Sequence, residues 1–354
     1  MRLSVLDLID VRTGQTAAQA LRASRDLIEA ADRLGYHRYW VAEHHNTPAV
    51  ASTSPAIELM YLGQNTSRIR LGSGGVMLPN HSPLAVAEQF ALLANVYGDR
   101  IDLGLGRAPG TDPVTSAAIR GQLTGSHYVG PDGRPVDPVE EFPRHVREIQ
   151  ALLSAEGAAV RLPRGQVREL RPAPDLPHPP QIWLLGSSDY SAQLAASLGM
   201  PYVFAHHFSG QGTRRALDLY RGEFQAATPA QTPTTFLSVN VSVAEDEQEA
   251  WELAEPHMVS MARLRTGAGL DPAPLVGAHA RSLLTDHFRD VIAPTVDTWA
   301  VGTPAQVGDR LRRLADEFEV DEVMLHLVAG ARPEDAPDVW PARRRTLELL
   351  AGVL

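Results

Sequence analysis

Three clusters of side chains carry the chemistry that this sequence can offer. The first is Glu43-His44-His45, which closes the stretch YHRYWVAEHHN between Tyr36 and Asn46. An imidazole such as that of His44 changes charge near neutral pH and can serve as acid or base. Three polar residues at a strand end also suit an ordinary solvated loop, so alone they decide nothing. The second is Arg107 in GLGRAPG, whose planar fork can grip phosphate oxygens through two parallel hydrogen bonds. The third is Ser187, Ser188 and Ser191 in GSSDYSAQ, where a helical pattern begins. Unpaired backbone N–H groups and the helix dipole favour an anion there. Ser188 and Ser191, three residues apart, set two hydroxyls at one helix end, although simple capping by Ser188 explains that residue equally well. Gly74-Gly75 adds a surface without Cβ atoms against which a flat ring can lie, or else a plain tight turn. His81, His206 and His207 also fall at or just past strand ends, so a metal site must be weighed. Against it, adjacent His44 and His45 should diverge, and neither HxH nor HExxH spacing occurs.

These residues need strand ends and helix starts to hold them. Alternation with period two puts Trp40, Ala42 and His44 on one strand face, and Tyr39, Val41 and Glu43 on the other. Seven further stretches read as strands: Leu3 to Ile9, Ile69 to Ser73, Asp99 to Gly106, Gln181 to Leu185, Pro201 to His207, Thr235 to Val243 and Val320 to Val328. Helical patterns separate them, among them Thr16 to Leu34, Ser54 to Asn65, Leu84 to Tyr97 and Glu245 to Leu264. Eight strands alternating with helices predict an α/β fold, a (β/α)8 TIM barrel made by residues 1–354 as one domain. In such a barrel the carboxyl ends of the strands carry the chemistry, which is where the three clusters fall. Ala158 to Pro180 reads as a hairpin or extended insert. Ala108 to Asp137 and Thr266 to Thr298 read as long loops without regular structure over that face.

Composition narrows the function. With 44% hydrophobic and 21% charged residues, the chain can bury a sizeable core. A net charge of −10 argues against nucleic acid as a partner, because phosphate backbones require a basic surface. The absence of cysteine removes thiolate nucleophiles, disulfides and sulfur-ligated metals. No apolar run is long enough to cross a membrane, and a cytoplasmic protein is the simplest expectation.

Read together, WVAEHHN, RIRLGSGGVMLPNHSPLAVAEQFALL, DRIDLGLGRAPG, GSSDYSAQLAASLGMPYVFAHH and VGTPAQV resemble the bacterial luciferase-like flavin monooxygenases, in order, in spacing and over nearly the whole chain. The resemblance implies a barrel that binds FMN in its reduced form, FMNH2. It also implies reaction of the flavin with O2 to a hydroperoxide, and oxygenation of a small organic substrate. Carried over residue by residue, it makes His44 the active-site histidine and Arg107, Ser188 and Ser191 the phosphate ligands. Gly74-Gly75 corresponds to the pair joined by a cis peptide beneath the isoalloxazine. Ser187 stands where the luciferase α chain has a glutamate, which removes a negative charge near the phosphate. A separate flavin reductase and a homodimer formed through AIELMYLG and LAVAEQFALLANV are implied as partners. Flavin would supply the reactivity, so the lack of cysteine is no handicap. Three alternatives stay open: a deazaflavin (F420)-dependent hydride-transfer enzyme, a flavin-binding protein without turnover, and a metal-dependent barrel hydrolase using His44, His81 and carboxylates.

Overall fold

A computed structural model describes residues 1–122, 137–162 and 165–353. Part of the expected loop Ala108 to Asp137, residues 123–136, lies outside the described residues. Eight parallel strands close on themselves: β1 Arg2–Asp7, β2 Arg38–Val41, β3 Arg70–Ser73, β4 Ile101–Gly106, β5 Gln181–Gly186, β6 Tyr202–Phe204, β7 Thr235–Val243 and β8 Glu322–Leu327. Each pairs with its neighbour in chain order, and β8 returns to β1 with Leu6 opposite His326. A helix follows each strand in the outer ring: α1 Ala17–Leu34, α2 Pro55–Leu62, α3 Pro83–Tyr97, α4 Phe142–Leu152, α5 Asp189–Ser197, α6 Thr213–Gly222, α7 Pro304–Phe318 and α8 Pro341–Ala351. All eight strands expected from the sequence are therefore barrel strands.

Alternation along each strand decides which layer a side chain joins. Val5, Tyr39, Val41, Leu71, Leu103, Leu184, Leu237 and Leu325 point outward into one core shared with the helices. Leu6, Trp40, Trp183, Val203, Phe236 and Met324 point inward and fill the middle of the barrel. Three of these rings meet edge to face, with Trp40 5.8 Å from Trp183 and 5.4 Å from Phe236. Below them, at the amino ends of the strands, Arg38 bonds Asp102 and Glu322, both at 2.7 Å. The barrel is thus a packed solid, and only its carboxyl end can admit a ligand.

Helix boundaries follow local chemistry. Thr16 and Gln19 cap α1 reciprocally, and Gly35 ends it at φ 85°, a conformation that favours glycine. Thr303 and Gln306 repeat that capping box at α7. Two loops expected to lack regular structure are corrected. Asp112 caps a helix at Pro113–Ile119 by accepting from the N–H groups of Val114 and Thr115. Residues 266–298 contain helices Ala278–Leu283 and Asp286–Val296, the second capped by Thr285. The helices Pro113–Ile119 and Ala278–Leu283 are too short, at one or two turns, for a 3.6-residue period to emerge, and Pro294 obscures the pattern of the three-turn Asp286–Val296. The insert after α4 is an antiparallel hairpin of Ala158–Arg161 with Val167–Leu170, one of the two forms expected. A further long helix, Glu247–Thr266, and a short strand, Ala300–Gly302, sit between β7 and α7. Among the described residues, no helix is long and apolar enough to cross a membrane.

Candidate active site

At the carboxyl end of β3 the peptide bond between Gly74 and Gly75 is cis. A Cβ added to Gly75 would strike the Leu185 side chain and come within 2.9 Å of the Gly104 carbonyl oxygen. Only glycine lets the β3 exit lie this close to β4. His44 stands just beyond β2, its backbone N–H donating to the Ser52 carbonyl at 2.9 Å. Its Nδ1 is buried without a protein partner. Burial lowers the His44 pKa below the ordinary histidine value, and the nearby carboxylates of Asp10 and Glu43 only partly oppose this.

Glu43 faces the other way and is spoken for. Its Oε1 accepts from His45 Nε2 at 2.8 Å and from His81 Nε2 at 2.7 Å, and its Oε2 accepts from the Met77 N–H at 3.0 Å. Burial would raise this carboxyl, yet the bonds from His81 and His45 hold it below the usual carboxylate range. Glu43, His45 and His81 are also a group whose donor atoms lie close enough to share an ion. His44 is outside it, so the pairing of His44 with His81 in the hydrolase alternative does not form.

The residues expected to bind an anion come together at β4 and β5. Arg107, at the β4 exit, lays its guanidinium over the Tyr190 ring, 4.2 Å from the centroid. Tyr190 belongs to the first turn of α5, so this stacking carries Arg107 to the amino end of that helix. Ser188 is the N-cap residue, but its hydroxyl makes no capping bond, which leaves it available. Ser191 is buried in the same turn, packed so closely that a Cβ on Gly186 would collide with its Oγ. Ser187 is exposed at the rim. The charge of Asp189, unfavourable to an anion, is paired with Arg215 at 2.8 Å. Among the described residues Arg107 itself has no carboxylate partner.

Two histidines noted at β6 diverge. His206 turns outward, with Nδ1 bonded to Thr213 Oγ1 at 2.8 Å and its ring beside Phe318, and burial lowers its pKa to about 4. His207 turns inward, with Nδ1 bonded to Ser238 Oγ at 2.5 Å and its ring 5.5 Å from that of His326. His257, from the long helix after β7, lies 5.0 Å from the same ring and 5.2 Å from Trp299. Sequence reasoning missed His257, His326 and Trp299. One signal was available for His326: in EVMLHL it shares the inward parity of Met324 and is the polar residue of that face at the carboxyl end, Glu322 being at the amino end. A surface groove of about 870 Å³ lined by Thr213, Arg214, Asp218 and Phe318 lies outside the barrel, away from this chemistry.

Fold and site together define a (β/α)8 barrel with Arg107 and the α5 serines grouped at β4 to β5 and a histidine-rich cluster at β6 to β8. A family model for luciferase-like monooxygenases matches residues 1–321, and the chain belongs to that family. It is 38% identical over 324 residues to a luciferase-like monooxygenase of Escherichia coli, covering 91% of this chain and 90% of that protein. An N-acetyl-S-alkylcysteine monooxygenase of Bacillus subtilis is 32% identical over 331 residues, with 92% of each chain covered. The solved structure of apo-MsnO8 superposes with a TM-score of 0.83 at 34% identity, covering 99% of this chain and 98% of that one. The fold is shared at 17% identity with the oxygenating constituent of 3,6-diketocamphane monooxygenase in complex with FMN (TM-score 0.72). It is shared at 15% with a coenzyme F420-dependent tetrahydromethanopterin reductase (TM-score 0.65). The chain is an oxidoreductase of the luciferase-like type.

Proposed function

We propose that this chain uses reduced FMN and O2 to oxygenate a small organic substrate. The observation that supports this best is the convergence of Arg107 with Ser188 and Ser191 at the α5 amino end, beside a glycine floor and a partnerless His44 nitrogen. The donor set suits a phosphate: a cation without a carboxylate partner among the described residues, a hydroxyl that makes no capping bond and a helix N-terminus. The Gly74-Gly75 backbone suits a planar ring, since no Cβ stands in its way. Bound reduced FMN would supply the electrons that activate O2. The protein's part is to hold its phosphate, orient its ring, exclude water and place His44 where a proton must move. Anaerobic titration with FMNH2, followed by admission of air and a spectrum of the product, tests the reading. Tight binding of F420H2 and hydride transfer without oxygen would favour the deazaflavin alternative, and stoichiometric metal with hydrolysis would favour the third.

Arg107→Ala should weaken FMN binding by about 1.5–3 kcal/mol, the usual worth of a hydrogen bond to a charged group, and leave the fold intact. Equal FMN affinity combined with a much lower melting temperature would recast Arg107 as a structural strut.

The partners follow the same reading: a separate reductase for FMNH2, and a second copy of the chain. Ile57 on α2 is 70% exposed, and Leu92 and Val96 on α3 are 49% and 59% exposed, so these adjacent helices both carry exposed apolar surface. Glu58 does not interrupt it. That side chain is buried, and its Oε1 accepts from the N–H groups of Thr53 and Ser54 at 2.6 and 2.8 Å. Burial raises its pKa to about 7 despite those bonds. Sedimentation at micromolar concentration should give a dimer that Ile57→Asp with Val96→Asp converts to monomer. A parent chain that sediments as a monomer would remove this partner.

A further inference from the structure

We propose that His326 Nε2 is the anchor of a substrate subsite that takes a neutral group donating a hydrogen bond, a hydroxyl or an amide N–H. This rests on the monooxygenase reading only for its location opposite the cofactor half. Asn240 fixes the chemistry. Its Nδ2 donates to the His207 carbonyl oxygen at 2.9 Å, so its Oδ1 is the end that meets His326 Nδ1 at 2.7 Å. A carbonyl oxygen cannot face an amide oxygen, and the amide orientation is therefore determined. His326 Nδ1 must then carry the proton, which leaves Nε2 a bare acceptor.

That acceptor is buried in a residue only 2% exposed and has no protein partner. Such atoms are uncommon in native proteins and call for a donor from elsewhere. Protonation does not supply one, because burial and then the neighbouring His257 and His207 hold the His326 pKa well below the ordinary value. The surroundings also select against a carboxylate. The nearby cation, Arg343, is bound to Asp10 at 2.6 Å and to the Ala329 carbonyl, and it stacks 4.2 Å from the Trp340 ring. An anion would meet a lone pair with no counter-charge. Trp299 adds a buried indole N–H without a partner on the far side of His257, a donor suited to a carbonyl or hydroxyl oxygen. Position separates this subsite from the phosphate grip: three strands lie between β8 and β4 in either direction round the barrel, which puts the two on opposite sides.

The same donor chemistry can come from the N–H edge of the flavin, and the test separates the two sources. The full chain, labelled with 15N-histidine, is titrated with octanol, octanamide, octanal and octanoate, with and without FMN. At neutral pH His326 should show the Nδ1–H tautomer. Octanol and octanamide should shift its Nε2 resonance, whereas octanal, octanoate and FMN alone should not. His326→Phe should lose about tenfold in octanamide affinity and keep FMN affinity. The wild-type resonances stand as the test if that variant fails to fold. The Nε2–H tautomer, a shift caused by FMN alone, an equal response to octanoate, or no response to any probe (water alone filling the acceptor) would each overturn the subsite. Loss of FMN binding with amide selectivity intact would instead sink the flavin reading and leave this one standing.

Discussion

His44→Ala is expected to lower turnover of a defined substrate by roughly 10²–10⁴-fold, the usual cost of losing a general acid or base, while FMN affinity stays nearly unchanged. Two features of the site motivate the split. The proposed phosphate grip, Arg107 at the β4 exit with Ser188 and Ser191 at the start of α5, comes from other elements than His44, which follows β2. His44 keeps a buried Nδ1 without a protein partner, whereas the neighbouring His45 is tied to Glu43. Burial lowers the His44 pKa, so the ring is neutral at pH 7 and can accept a proton. The sign of the pH dependence follows. Activity limited by His44 as a base should hold above its lowered pKa and fall as pH drops through it, at a pH below the ordinary histidine value. His44→Gln, which keeps the shape and can hydrogen-bond but not titrate, should remove that acidic limb. Unchanged turnover in His44→Ala, or an acidic limb that survives in His44→Gln, would take this residue out of the mechanism.

The barrel was legible because its strands announce themselves locally. Trp40 and Tyr39 differ by one position and end in different layers, as period two requires, and the same parity sorts Phe236 from Leu237 and Met324 from Leu325. The proximity of Arg107 to Ser188 followed from strand order alone, but the device that joins them did not. Tyr190 lies 83 positions beyond Arg107, and nothing in either sequence neighbourhood foretells their stacking. Long-range pairing hid the rest as well. His257 sits on a helix in an insertion, and only closure of the barrel brings it to His326. Glu43 looked as available as His44 because a strand end exposes both. Its burial depends on His81 and Met77, which arrive from the β3 exit.

Arg38→Met is expected to cost about 3–5 kcal/mol, a large share of the roughly 5–15 kcal/mol that holds a typical domain together. The reason is what the arginine leaves behind. Arg38 Nε donates to Glu322 Oε1 and its Nη1 to Asp102 Oδ2, both at 2.7 Å, and its guanidinium lies 4.7 Å from the Trp183 ring. Asp102 is fully buried and Glu322 is 2% exposed, so neither carboxylate can turn to water. Arg70 and the Trp40 indole N–H still reach Asp102, and the Ser4 hydroxyl still reaches Glu322. Among the described residues Glu322 would then keep no hydrogen-bonded cation, since Arg2 stands at 3.7 Å with its side chain half exposed and His37 at 3.9 Å. Burial alone would lower the Arg38 pKa, but Asp102 and Glu322 more than reverse this, which marks the cation as bound by its partners. The control is Arg2→Ala, which removes a rim charge from the same glutamate and should cost under about 1 kcal/mol. Denaturant melts of both variants read the difference directly. A small loss for Arg38→Met, equal to that of Arg2→Ala, would mean that the floor of the barrel holds together by apolar packing of Trp40, Trp183 and Phe236. The ion network would then be incidental.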